Sequence, residues 1–262
     1  MKSLEREKEK KGQVTIFIIL SIVIVVGILF FFFYLKPRFF SGGNGVLDFE
    51  GCVKQTVENK IKILGENGGI GKPEFFYSYQ GNEYTYLCYA EKYFVPCVVQ
   101  VPFLKQQFEK DLLLLSKEEI IACYDASADE LRGKGYQIED GKKDVAISIL
   151  PKQVKVELDV PTFMEKGGIR EKAQLNPIEV SIPLYEMLMI STSILQEETK
   201  NGDSDINVLM IYYPEFKIQK MRQGDETKLY SVEDKASGTV FQFASRSYAW
   251  APGYGLTEEG IE

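Results

Sequence analysis

Four cysteines, Cys52, Cys88, Cys97 and Cys123, carry the most specific chemistry in this sequence. Four thiols allow three pairings. Pairing Cys88 with Cys97 closes a short local loop, pairing Cys52 with Cys123 ties two distant segments, and this arrangement is favoured. In the chain-entropy model the longer loop is worth about 4 kcal/mol and the shorter roughly 3 kcal/mol or less. The competing readings are reduced, buried thiols, or a zinc site built from all four. Against zinc, no two cysteines have the C-x₂₋₄-C spacing of a structural site. The chain has no histidine, which removes the commonest general base, the commonest metal ligand and every Ser-His or Cys-His nucleophile arrangement. No metal, no cofactor and no catalytic residue is therefore expected.

The remaining groupings are weaker. Asp203, Asp205 and Asn207 occupy the first three ligand positions of a calcium loop, but Val208 stands where the loop needs Gly and Pro214 where it needs Glu. Solvated helix or tail positions account for Glu118-Glu119, Glu197-Glu198 and Glu258-Glu259, and no carboxylate pair is singled out for glycosidase chemistry. The run Gly65-x-x-Gly68-Gly69-x-Gly71 follows a helix pattern instead of joining a strand to one, so it fails the context of a phosphate loop. Aromatics crowd residues 75–94, with Phe75, Phe76, Tyr77, Tyr79, Tyr84, Tyr86, Tyr89, Tyr93 and Phe94. Exposed, they would make a recognition face; strand alternation would bury about half of them in any case. Phe241, Phe243, Tyr248, Trp250 and Tyr254, with Arg246, form a second cluster, where a stacked Arg is read as structural.

The elements that hold these residues begin with an apolar run at 14–35, VTIFIILSIVIVVGILFFFFYL, free of charge. As a helix at 1.5 Å per residue it would be about 33 Å long, enough for a hydrocarbon core of about 30 Å. Lys2, Arg6, Lys8, Lys10 and Lys11 precede it and only Lys36 and Arg38 follow closely, which places the N-terminus in the cytoplasm and the bulk of the chain outside. A cleaved secretory signal would have a shorter apolar region ending in small residues, whereas this one continues through Phe30, Phe31, Phe32 and Phe33. Outside the cell disulfides persist. With 31 Lys+Arg against 38 Asp+Glu the net charge is -7, and no basic stripe for nucleic acid stands out.

The stretch Lys10-Lys11-Gly12-Gln13-Val14-Thr15-Ile16-Phe17 resembles the class III signal of archaeal type IV pilin-like proteins. The resemblance implies cleavage by a prepilin peptidase between Gly12 and Gln13, leaving the apolar helix on the mature chain. In that family the third mature residue is often Ser and the fifth Glu; Thr15 and Phe17 stand there instead. The layout as a whole is similar to single-pass, membrane-anchored surface proteins of small-genome archaea that carry no established activity: a KGQVTIF start, a Cys-bearing helix ending in Gly-Gly, a later helix with Cys, strands, and a closing FQFA-x-R segment. This resemblance implies a location and no chemistry.

Beyond a flexible spacer at Ser41-Gly42-Gly43-Asn44-Gly45, Phe49, Val53, Val57, Ile61 and Leu64 fall at helical period and Gly68-Gly69 stops the helix. Residues 75–79 and 84–89 read as a hairpin across Gln80-Gly81-Asn82. A helix over 103–115 and a third helix starting at Ser116, with Ser116-x-x-Glu119 as a capping box, follow. Val145, Ile147 and Ile149, then Val154, Val156, Leu158 and Val160, alternate with polar residues across a Pro151-Lys152 turn, an antiparallel pair with one wet face. Ile178, Val180 and Ile182 keep this period up to Pro183, which opens a helix to about Lys200. Strands are expected at 206–212, 216–221, 228–233 and 239–248.

The expected fold is α+β: a cytoplasmic basic tail (1–12), a transmembrane helix (13–35), a linker (36–46), a helical Cys-containing section (47–132), an antiparallel sheet section with one packed helix (133–252) and a flexible tail (253–262). The expected function is a single-pass, extracytoplasmic surface protein, structural, adhesive or pilin-like, with no catalytic activity. Its expected partners are the lipid bilayer and other envelope proteins. The alternatives are an anchored module binding a small solute or peptide, and an envelope hydrolase.

Overall fold

The computed structural model describes residues 21, 23–26 and 47–249. The chain divides into two units, Met1–Val46 and Leu47–Glu262. Of the first unit, Ser21 and residues 23–26 are helical. The expected transmembrane helix does not stand as part of this fold: among the described residues no helix is long and apolar enough to cross a membrane. Helices α1 and α2 of the second unit carry Lys and Glu at intervals of a few residues, and α3 is interrupted by Glu186, Glu197, Glu198 and Lys200, which suits faces that are part buried and part wet. Most of the 13–35 run, the Gly12-Gln13 position, Trp250, Tyr254 and the 253–262 tail lie outside the described residues.

In the second unit the elements are, in order, α1 (Glu50–Glu66), β1 (Phe76–Tyr79), β2 (Asn82–Tyr89), β3 (Val98–Val99), α2 (Leu104–Gly133), β4 (Gln137–Asp140), β5 (Asp144–Leu150), β6 (Gln153–Asp159), β7 (Thr162–Lys166), β8 (Ile169–Lys172), β9 (Ile178–Val180), α3 (Leu184–Asn201), α4 (Ile206–Tyr212), β10 (Phe216–Arg222), β11 (Lys228–Asp234) and β12 (Val240–Arg246). This is an α+β arrangement. The largest sheet is six-stranded in the order β1-β2-β12-β11-β10 with β3 also on β2, and two three-stranded sheets run β4-β7-β8 and β5-β6-β9. All pairs are antiparallel except β12 with β2, which is parallel, so a strand from the Cys-rich first part sits inside the sheet built by the last part.

Helix α3 is central. Its buried residues, among them Met187, Leu188, Ile190, Ser191, Ile194 and Leu195, form one broad stripe, and it contacts β11, β12 and β2 as well as β5 and β6. It ends at Gly202, whose φ of 77° is the left-handed conformation that a glycine adopts without a Cβ penalty. Helix α1 packs on α2 and β12. At Gly65 a Cβ would come within 2.2 Å of the Val240 carbonyl oxygen, so only glycine permits this approach of helix to strand. The core contains Phe108, Tyr124, Phe216, Tyr230, Phe241 and Phe243, all fully buried.

Three local expectations are corrected. The two helices predicted over 103–115 and from Ser116 are one helix, α2. Ser116 is buried in mid-helix and its hydroxyl donates to the Leu112 carbonyl at 2.6 Å, satisfying itself without a cap. Glu119 receives Lys60 of α1 at 2.5 Å instead of capping. The strand predicted over 206–212 is the helix α4, started by Asp205, whose carboxylate accepts the Asn207 amide at 2.9 Å. A short apolar run does not distinguish strand from helix by period, and the cap decides it.

Candidate functional site

All four cysteines are paired, Cys52 with Cys123 and Cys88 with Cys97, with Cα separations of 5.8 Å and 5.4 Å. The first bond ties the opening turn of α1 to α2, and the second ties β2 to the loop that leads into β3. An irregularity in the β12–β2 register makes the second bond possible. Ala244 pairs with Tyr86 but Ser245 with Cys88, so Leu87 is an extra residue on β2. Past the bulge Cys88 joins the helix-covered core, and Tyr89 turns toward the other face beside Tyr86.

On the helix-covered face of the six-stranded sheet lies a buried polar cluster. Glu198 of α3 is 0% exposed and Lys228 of β11 is 4% exposed. The Lys228 ammonium donates to both Glu198 oxygens, at 2.9 Å and 2.7 Å, and to the Gly202 carbonyl. Tyr230 donates to Glu198 Oε1 at 2.5 Å and Ser245 to Oε2 at 2.9 Å. The Ser247 hydroxyl donates to the Glu198 carbonyl at 2.7 Å. Burial, and then the charge and accepting oxygen of Glu198, push the Tyr230 phenol far up, which keeps it a donor. Ser245 and Lys228 are cross-strand partners. Both give their protons to Glu198, so the hydroxyl is not poised on the amine. Asp203, at 3.6 Å from Lys228 and 2.9 Å from Lys220, forms the exposed rim of the cluster. Partial burial alone would raise its carboxyl, but the Lys220 hydrogen bond and the charges of Lys228 and Lys220 hold it below the usual range.

Among the described residues the opposite face carries no covering layer of helices. A row of cross-strand neighbours, Met221, Leu229, Ala244 and Tyr86, crosses it. Around this row a small second cluster gathers Tyr84 with the partly buried Tyr77, Tyr79 and Tyr89. Phe75 stacks on Tyr86 and meets Tyr89 edge-on, each at 4.6 Å between centroids. Arg246 extends the surface: its guanidinium lies 5.0 Å from the Tyr93 ring and 5.8 Å from Tyr89 while donating to the Ala90 and Glu91 carbonyls. Burial raises the phenols of Tyr77 and Tyr84, and that of Tyr86, opposed by its hydrogen bond with Thr227, to about 12. Phe75, Tyr93, Phe94, Val95 and Tyr248 remain exposed.

A cleft of about 460 Å³ opens between the start of α3 and the β11–β12 turn. Glu186 in it accepts the Lys152 amide, and Asp234 accepts the Ser237 amide and hydroxyl, so both carboxylates hold loop backbone in place.

The residues singled out in the sequence are thus distributed rather than gathered. Asp203, Asp205 and Asn207 do not converge: Asp203 turns to Lys220 and Asp205 caps α4. Among the described residues no group of acids and cysteines is arranged to hold a metal. Glu198 is a correction. Expected with Glu197 at a solvated position, it falls three and four residues after Leu195 and Ile194, on the buried stripe, and that spacing is the signal for its burial. Comparison with protein-family models, with curated proteins and with solved structures gives no match for this chain.

Proposed function

We propose that this chain is a non-enzymatic module displayed outside a cell membrane, where it serves adhesion or assembly with other envelope proteins. The observation that carries this reading is the pairing of all four cysteines in two bonds, a state that persists in oxidising compartments and is rare in reducing ones. Two further features support it. The polar groups with catalytic potential, Ser245, Lys228 and Glu198, answer one another inside the core. The uncovered tyrosine face offers the rigid amphipathic rings that protein interfaces favour. Association with the lipid bilayer belongs to the same proposal.

Alkylation of denatured, unreduced native protein should find no free thiol, and a membrane-impermeant amine reagent should label its lysines on intact cells. Four free thiols together with protection from the reagent would overturn the reading. A pilin-like chain predicts, in addition, a native mass lacking residues 1–12. Binding of a small solute or peptide is the second reading, favoured by the cleft beside α3; it requires that blocking substitutions there, such as Ala236→Trp, abolish saturable binding to the full chain.

A further inference from the structure

A strand at the end of a sheet offers unpaired backbone groups to any other chain, and proteins blunt such edges with charges or covering elements. Two edges of this molecule follow that rule. Strand β10 carries Lys217, Lys220 and Arg222 and has α4 packed against it. Strand β8 carries Arg170, Glu171 and Lys172. Strand β1, the other end of the six-stranded sheet, is Phe76-Tyr77-Ser78-Tyr79, and residues 75–82 contain no charge. In a chain of net charge -7, that neutral strip is where a second copy can approach without like charges meeting.

The backbone phase of β1 is defined. The Phe75 carbonyl accepts the Tyr86 amide at 3.1 Å, so by alternation the backbone groups of Phe75, Tyr77 and Tyr79 turn toward β2 and those of Phe76 and Ser78 turn outward. Gln80 and Gly81, with φ of 50° and 83°, make the two-residue turn that ends the strand.

We propose that β1 pairs edge to edge with β1 of a second copy, antiparallel, about a two-fold axis at Tyr77. Two-fold symmetry requires one residue to face its own counterpart. Centring on Ser78 would pair Phe76 with Gln80, which is in the turn conformation and cannot extend the ladder. Centring on Tyr77 pairs the outward groups of Phe76 with those of Ser78 in both directions. Each Phe75 then lies opposite a Tyr79, and Glu74 lies opposite the neutral Gln80. The two tyrosine faces become one surface, and the Tyr77 residues form a non-hydrogen-bonded pair with Cα atoms about 4.5 Å apart. So short a pairing is weak in dilute solution and draws on the high effective concentration of a crowded surface. The inference rests on the display reading and names the partner in assembly.

The test uses the full chain in its native membrane. Tyr77→Cys should give a disulfide-linked dimer on a non-reducing gel, and Arg222→Cys at the opposite edge should not. Adding Ser78→Pro removes an outward amide while leaving the β2 ladder intact, since edge positions tolerate proline, and should abolish the dimer. If that variant loses protease resistance, Ser78→Lys in its place should abolish the dimer by setting a charge opposite each Phe76 and two like charges diagonally across the pair. No dimer with Tyr77→Cys, or a dimer unchanged by the Ser78 variants, overturns the pairing. Surface labelling and thiol counts on the same samples report the display reading independently, so its failure is distinguishable from failure of the pairing.

Discussion

The two faces of the six-stranded sheet are built from the same strands and treat hydroxyl groups in opposite ways. On the helix-covered face Tyr230 and Ser245 point at one carboxylate, and with Lys228 they leave Glu198 fully answered. On the open face Tyr77, Tyr79, Tyr84, Tyr86 and Tyr89 pack mainly by their rings; the Tyr86 hydroxyl pairs with Thr227 at 2.9 Å and the Tyr79 hydroxyl accepts the Gln80 side-chain amide at 3.2 Å. The difference follows from what lies above each face. Beneath α3 a charge has no water to turn to, so every partner must come from the protein. On the open face, where no helix covers the sheet among the described residues, the rings themselves supply the apolar cover and bury the Tyr86 phenol against Thr227.

The largest expected effect breaks the covered face. Glu198→Ala leaves the Lys228 ammonium buried without its counter-charge and should destabilise the unit by about 3–5 kcal/mol. The double variant Glu198→Leu, Lys228→Met should recover part of that loss, because it removes the unpaired charge but leaves the Tyr230 and Ser245 hydroxyls without their acceptor. Denaturant midpoints of the full chain decide it. If the single variant costs as little as a surface ion pair, the contrast between the faces is not energetic.

The middle prediction concerns alkaline pH, where the faces should separate by degree. The folded chain holds the Tyr86 proton up to about 12, against about 10 for an unfolded tyrosine. Its contribution to stability is therefore complete below pH about 10 and is lost as pH rises through about 12. Tyr230 shifts in the same direction, through burial and the Glu198 charge. An ultraviolet titration of tyrosinate should show an ordinary class first, then a step lost in Tyr86→Phe, with Tyr230 ionising only on unfolding. A Tyr86 that titrates with the ordinary class would mean that the open face is wetter than its ring packing implies.

Much of this contrast was hidden in the sequence, for physical reasons. Val53, Val57, Ile61 and Leu64 announce α1, and the alternation through 145–149 and 154–160 announces the β5–β6 pair, because in each case one face is buried and the other wet. The same logic fails for β7 and β8, where β8 is exposed along its whole length and no alternation is needed; only Gly167-Gly168, both with positive φ, marked that turn. Ser116 looked like a cap because capping residues are recognised by type, whereas its burial depends on what α2 packs against. The cysteine pairs were legible as chemistry, and the bulge at Leu87 that directs Cys88 inward was not, since nothing local distinguishes Leu87 from its neighbours.

The smallest effect is expected at Asp203, where the covered face meets solvent. Its carboxyl is held below the ordinary range in the folded chain, so its contribution is present above pH about 4 and is lost as pH falls through the depressed value. The side chain is 61% exposed, so solvent screens the pairing with Lys220 and Lys228. Asp203→Asn should flatten the acid limb of the stability curve slightly and leave the neutral-pH midpoint almost unchanged. Measured beside Glu198→Ala, this small response would place the energetic boundary of the covered cluster between the last turn of α3 and the residue just after Gly202. A loss at neutral pH comparable to that of Glu198→Ala would instead mean that Asp203 carries part of the Lys228 charge balance, and that the covered face extends to its rim.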